Sequence, residues 1–190
     1  MSPLDIAHIE RIVRAHVPKP VVDDSLARAA VLLALGADGA DHRVLFTVRT
    51  SHVEHHKGEI SFPGGAHDPE DRDLAYTALR ESFEEVGLRQ QDVRLLGPLD
   101  DFVTMSKFAV TPFVGVFTYP YTFKPFEVEV AEILEVPLTH LIDPRNHVPD
   151  PRGSRGPARP GYTCFQFGPH VIYGATAIMM KRFLDLVAPA

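Results

Sequence analysis

A single cysteine, Cys164, occurs in 190 residues, so no internal disulfide can form. That scarcity excludes a disulfide-stapled scaffold and fits a reducing compartment. Cys164 stands between Thr163 and Phe165 in a strand-like run, where a buried thiol is expected rather than a nucleophile. Positive charge is also in short supply. Nineteen Lys and Arg face 25 Asp and Glu, a formal net charge of −6. Duplex nucleic acid is therefore not an expected partner, and an acidic protein that handles phosphates needs a local cationic patch and a bridging cation. No apolar run approaches the ~20 residues that cross a bilayer. Asp5, His8 and Glu10 interrupt the opening residues where a secretory signal needs an apolar core. A soluble, cytoplasmic protein with no membrane partner is the expectation. No serine lies in a G-x-S-x-G elbow, so acyl chemistry lacks its nucleophile. His52 and His56 are spaced i, i+4, but without an HExxH pattern or a nearby cysteine they do not make a zinc set. Asp68, Asp71 and Asp73 lack the spacing and central glycine of a calcium loop and read as a polar loop with a helix N-cap.

What is present is ordinary globular material, 45% hydrophobic and 23% charged, in a length suited to one domain over residues 1–190. Leu4, Ile6, Ile9, Ile12 and Val13 give helical periodicity between Pro3 and His16. Ala29–Leu35 and Arg43–Arg49, separated by a Gly36–Asp41 turn, read as a hairpin. Helical periodicity returns at Leu74, Ala75, Leu79, Phe83 and Val86, closed by Gly87. Strand-like stretches follow at Val93–Leu99, Phe108–Thr118 and Phe126–Val136, then a strand near Tyr162–Phe167 and a helix from Ala175 to Val187. Residues 144–161, rich in Pro, Gly and Arg, read as an irregular surface loop. Strands mixed with helices at both ends and in the middle predict one α+β layered domain.

The informative stretch is Gly64 to Leu88. Glu81, Glu84 and Glu85 fall at i, i+3 and i+4, so a helix projects all three carboxylates from one side, with Ala75, Leu79, Phe83 and Val86 toward a core. Clustered like charges repel unless cations neutralise them, and hard divalent ions bind carboxylate and phosphate oxygens together. Taken alone, three glutamates fit a solvated acidic face equally well. Their context is more specific. Gly64-Gly65 precedes the helix and allows backbone to approach a metal or phosphate closely, Arg80 stands before the first glutamate, and Gly87-Leu88 follow the last.

This segment resembles the Nudix box, a glycine and an acid followed by Arg-Glu-x-x-Glu-Glu-x-Gly and an aliphatic residue. Here those positions are Gly65, Asp71, Arg80-Glu81, Glu84-Glu85, Gly87 and Leu88. Asp71 stands where the common box has Glu, and Gly65 lies one residue further from Arg80 than usual. Upstream, Leu45-Phe46-Thr47-Val48-Arg49 and His56-Lys57-Gly58-Glu59-Ile60-Ser61-Phe62-Pro63-Gly64-Gly65 are similar to the signature of the coenzyme A pyrophosphatase subgroup, which also shares the longer spacing. Thr50 and Glu54 depart from it. Downstream, Val110-Thr111-Pro112-Phe113-Val114, Glu135-Val136-Pro137-Leu138 and Ile172-Tyr173-Gly174-Ala175-Thr176-Ala177 also look like that subgroup, with Tyr173 where Trp is more usual.

The resemblance implies a Nudix fold, a mixed β-sheet sandwiched between helices, and hydrolysis of a pyrophosphate with Mg²⁺ or Mn²⁺. It assigns the metal to Glu81, Glu84, Glu85 and the Gly65 carbonyl. Its catalytic set is Glu84, Glu129 and Arg80, with Arg80 orienting the glutamates. Glu129 matches an acid that completes the metal site or serves as base, with Glu127 and Glu132 as competitors. Arg49 and Lys57 are placed to meet substrate phosphates, although a surface ion pair explains either one alone. Phe62 is expected to line an apolar trough. The implied partner is a small nucleotide of the coenzyme A class, cut to 3′,5′-ADP and 4′-phosphopantetheine, and a homodimer is left open. ADP-ribose or a dinucleotide such as NADH is the alternative substrate, and a non-catalytic nucleotide sensor is the alternative from outside enzymes.

Overall fold

The computed structural model describes residues 5–39, 41–50, 58–152 and 163–188. Helix α1 (Ile6–Ala15) is capped by Asp5 and buries Ile9 and Val13. Strands β1 (Ala27–Ala37), β2 (Arg43–Arg49), β3 (Ile60–Ser61) and β4 (Gly64–Ala66) lead to helix α2 (Leu74–Val86). Then come β5 (Val93–Pro98), β6 (Phe102–Val103), β7 (Phe108–Thr118), β8 (Val130–Pro137) and the short helix α3 (Leu138–Ile142). Strands β9 (His147–Val148), β10 (Cys164–Phe167) and β11 (His170–Ile172) precede helix α4 (Gly174–Val187).

The sheet is mixed. Strand β1 runs parallel to β7 along its whole length, from Ala27 beside Phe108 to Ala37 beside Thr118, while β5 and β6 add antiparallel on the far edge of β7. Alternation along β1 sorts its side chains between two cores. Ala30, Leu32 and Ala34 meet Ala78, Leu79 and Val86 of α2, whereas Ala29, Leu33 and Leu35 join a larger cluster with Ile9 and Val13 of α1 and Met180, Phe183 and Val187 of α4. Burial on both faces explains why the strand reads as a continuous apolar run. The expected sheet between helices is present.

The expected hairpin is not a simple one. Strands β1 and β2 pair only beside the turn, at Leu35–Val44 and Gly36–Arg43. Beyond that they splay. Strand β3 pairs with β2 at Thr47 and Val48, and β4 pairs with β1 at Ala29, Ala30 and Val31. Pro63 cannot donate to the ladder, but its carbonyl accepts from Leu32 N at 2.8 Å, and Thr176 Oγ1 of α4 donates to the Ile60 carbonyl at 2.9 Å. This wedge sets Gly64-Gly65 directly under α2. Gly64 has φ 153°, and a Cβ there would lie 2.4 Å from the Ala30 carbonyl oxygen, so only glycine fits.

Two boundaries differ from expectation. The strand expected from Phe126 begins at Val130, because Glu129 N and Val130 N both donate to the Phe126 carbonyl and close a turn. Within 144–161, residues Pro144–Asn146 form a 3₁₀ turn and His147–Val148 pair with Phe165 and Cys164. Arg145 pairs with Asp143, and Arg152 stacks over the Tyr173 ring at 4.8 Å, while Arg155 and Arg159 lie outside the described residues. Cys164 is fully buried, as expected. Among the described residues no helix is long and apolar enough to cross a membrane.

Candidate active site

Helix α2 is set at both ends by local chemistry. Asp73 accepts from Tyr76 N at 2.7 Å as the N-cap, and Gly87, at φ 71°, donates its N–H to the Phe83 carbonyl. Small Ala78 and Ser82 face the sheet, with Ser82 Oγ bonded back to the Ala78 carbonyl at 2.6 Å. That turn of the helix corrects the expected core stripe. Leu79 and Val86 are buried, but Phe83 is 55% exposed and Glu85, at 6%, takes an inward place beside Gly64. The small side chains let the helix lie close against Ala30, Leu32 and Ala34, and a phenylalanine has no room on that side.

Arg80 is the hub of the outer face. Its Nε and Nη2 donate to the two oxygens of Asp71 at 2.8 and 2.9 Å, and its Nη1 reaches Glu81 at 2.8 Å and Glu84 at 3.0 Å. Asp71 is buried and also accepts from Thr77 Oγ1 at 2.8 Å and Asp68 N at 3.1 Å. These donors, Arg80 foremost, hold its carboxyl well below the ordinary aspartate range. The acid that departs from the common box therefore anchors the arginine in a bidentate pair. Asp71→Asn is expected to lower stability by ~1.5–3 kcal/mol, the worth of hydrogen bonds to a charged group. Because the folded-state pKa is depressed, this stabilisation is complete above about pH 4 and is lost as pH falls toward the folded value. Denaturant melts between about pH 6 and about pH 2 should show a shallower acid slope for Asp71→Asn than for wild type. Parallel slopes would remove Asp71 from this role.

Three carboxylates act on one another by charge on the inner flank. Burial pushes Glu81 up, with Arg80 opposing and Glu84 and Glu129 adding to the shift. Glu81 also packs on Gly65 so closely that a Cβ there would lie 2.5 Å from its carboxyl carbon. Burial pushes Glu85 up to about 8, opposed by Arg49 and by the Gly64 N–H, and increased by Glu81 and Glu129. The charge of Glu129 thus acts on both the half-buried Glu81 and the buried Glu85. Its turn is tied to the site by the Phe126 N–H on the Glu85 carbonyl at 2.8 Å, by Thr50 N on the Glu129 carbonyl at 2.9 Å, and by Thr50 Oγ1 on the Val128 carbonyl at 2.9 Å. Of the competitors, Glu132 sits 3.2 Å from His170 Nε2, and Glu127 is exposed.

Known proteins resemble this chain in sequence and fold. The NUDIX domain model matches residues 25–151, more than half of the chain. The chain belongs to the Nudix family. The human mitochondrial coenzyme A diphosphatase NUDT8 is 37% identical over 166 residues, which cover 86% of this chain and 70% of that protein. The Nudix hydrolase NudL of Photorhabdus laumondii is 32% identical over 170 residues, 90% of each chain. Among solved structures, a Nudix hydrolase from M. smegmatis, RenU, superposes with a TM-score of 0.60 at 17% identity, covering 86% of this chain and 88% of that one, a likeness of fold.

The donors of this Nudix site suit a hard divalent cation. Glu85 Oε2 is buried and, among the described residues, receives no hydrogen bond. An acceptor left bare in the interior is costly unless a cation or proton meets it. Glu81 and Glu129 add oxygen donors and negative charge on the same flank. No three His, Cys, Asp or Glu side chains among the described residues form a closed ligand set, and Arg80 is ion-paired with Glu81 and Glu84.

The substrate residues expected from sequence fare unevenly. Arg49 follows a bulge in the pairing of β2 with β8 and turns its charge toward Glu85, with its buried Nε lacking an acceptor among the described residues. Lys57, with His52 and His56, lies outside the described residues. Phe62 does not line a trough. It is 1% exposed and stacks on Phe46 with ring centroids 5.0 Å apart, because the extended Ser61–Pro63 link turns it into the core. A cavity of about 550 Å³ opens on the other flank of α2 between Phe83, Arg89, Tyr121 and Lys124, and none of the carboxylates lines it.

Proposed function

We propose that this Nudix hydrolase cleaves the pyrophosphate of coenzyme A or an acylated derivative, releasing 3′,5′-ADP and 4′-phosphopantetheine. The observation that carries the chemistry is the buried Glu85 Oε2, unpaired among the described residues, under the charge of Glu81 and Glu129. The substrate class is supported by similarity to a named coenzyme A diphosphatase over 86% of the chain, well beyond α2. Glu81, Glu84, Glu85 and the Gly65 carbonyl would hold Mg²⁺ or Mn²⁺. Such an ion, when bound, would polarise the pyrophosphate and make water easier to deprotonate. Arg80 fixes the directions of Glu81 and Glu84 through its Nη1 and is itself held by Asp71. Glu129, on a turn pinned to both α2 and β2, takes the proton of the attacking water on its carboxylate. Arg49 offsets the charge of Glu85, and with Lys57 it supplies cations for the substrate phosphates.

The test is a substrate panel. Coenzyme A carries a 3′-phosphate that 3′-dephospho-coenzyme A lacks, and a well-made charged hydrogen bond is worth ~1.5–3 kcal/mol. Coenzyme A should therefore exceed its dephospho form by roughly ten- to 150-fold in kcat/KM, with ADP-ribose poorer still. Faster cleavage of ADP-ribose or NADH would overturn the substrate reading and leave family membership intact.

A further inference from the structure

Burial of Phe62 leaves the arm of the substrate without its expected trough, and the turn that carries Glu129 offers another surface. Phe126 is 48% exposed and Val128 64% exposed, on either side of Glu127 and next to Glu129. Both ends of the turn are pinned at the carboxylate site, through the Phe126 N–H on the Glu85 carbonyl and Thr50 Oγ1 donating to the Val128 carbonyl. Large apolar side chains held open to water beside a polar site are candidates for contact with a ligand. From Pro125 to Glu132 the chain has no Lys or Arg, and carries Glu127, Glu129 and Glu132. Lys124, the nearest cation in sequence, lines the cavity with Phe83 and Gly87 on the other flank of α2. Of the two groups joined by the pyrophosphate, the 3′-phosphorylated adenosine is repelled by this acidic strip, whereas the uncharged pantetheine arm is not.

We infer that Phe126 and Val128 form the surface on which the pantetheine arm lies as it leaves the scissile pyrophosphate. This rests on the substrate reading above. The two side chains set specificity for the arm, while the neighbouring Glu129 serves the chemistry. Their replacement leaves the backbone hydrogen bonds of the turn available.

The double variant Phe126→Ser, Val128→Ser tests it through inhibition of coenzyme A hydrolysis by the two product molecules. The inhibition constant of 4′-phosphopantetheine should rise roughly tenfold through loss of apolar contact, with that of 3′,5′-ADP unchanged and KM for coenzyme A raised more than kcat is lowered. An unchanged thermal midpoint shows that the turn still folds. A rise for 3′,5′-ADP alone would place the nucleotide on this surface and overturn the inference, as would unchanged constants for both. Should wild type leave coenzyme A intact, the substrate reading fails first and takes this inference with it. A wild type that cuts coenzyme A, with a double variant that binds 4′-phosphopantetheine equally well, sinks the inference alone.

Discussion

Glu85→Gln is expected to lower kcat by at least ~10²-fold, the scale on which a preorganised electrostatic group acts. Glu84→Gln is expected to reach a similar loss, because both remove charge from a site that must hold cations against a polyanion. The environments of the two differ, and that sharpens the test. Glu84 lies on the outer face and is paired with Arg80 at 3.0 Å. Glu85 is buried with an oxygen that has no partner among the described residues, and its pKa is pushed up to about 8 mainly by burial. A glutamine resembles the protonated form in shape and charge. Ionising Glu85 costs the metal-free fold stability between its ordinary range and about pH 8. The metal-free Glu85→Gln protein should therefore melt no lower than metal-free wild type at about pH 8, even as activity collapses. Activity loss with retained stability separates a metal-site role from simple misfolding. Chelator should abolish wild-type activity, and Mg²⁺ or Mn²⁺ should restore it. Full activity in metal-free wild type would end this mechanism.

Glu129→Gln should cost ~10²–10⁴-fold in kcat, the usual contribution of a positioned base, while Glu132→Gln leaves the rate almost unchanged. The contrast follows from place rather than type. Glu129 shifts both Glu81 and Glu85 by its charge, and its turn is bonded to α2 and to Thr50. Glu132, three residues on, pairs with His170 at 3.2 Å. Steady-state rates of both variants at saturating metal and substrate decide the matter. Equal losses would mean that the acid has been misassigned.

The parts legible in the sequence were those set by local chemistry. Asp73 and Gly87 bound α2 where capping rules place them, and the apolar run of β1 betrays a strand buried on both faces. Glu81, Glu84 and Glu85 stand out through their spacing. What the sequence hid depends on partners far along the chain. The stripe Ala75, Leu79, Phe83 and the stripe Ala78, Ser82, Glu85 have equally good helical spacing. The close approach of β1 and Gly64 selects the second. Phe62 gave no sign of its direction, which packing in the core beside Phe46 fixes. Asp71 was visible as an acid in a polar loop, but its pairing with Arg80 spans a turn that no periodicity reports. The splay of β1 from β2 likewise follows from β3 and β4 entering between them.

The central claim is that these carboxylates direct water onto the pyrophosphate of coenzyme A. Mass spectrometry of the products formed from coenzyme A in ¹⁸O-labelled water with Mg²⁺ tests it most directly. The account predicts 3′,5′-ADP and 4′-phosphopantetheine in equal amounts, with label in one of the two and in neither when chelator replaces the metal. Intact coenzyme A after prolonged incubation with metal, or cleavage elsewhere than the pyrophosphate, would contradict it.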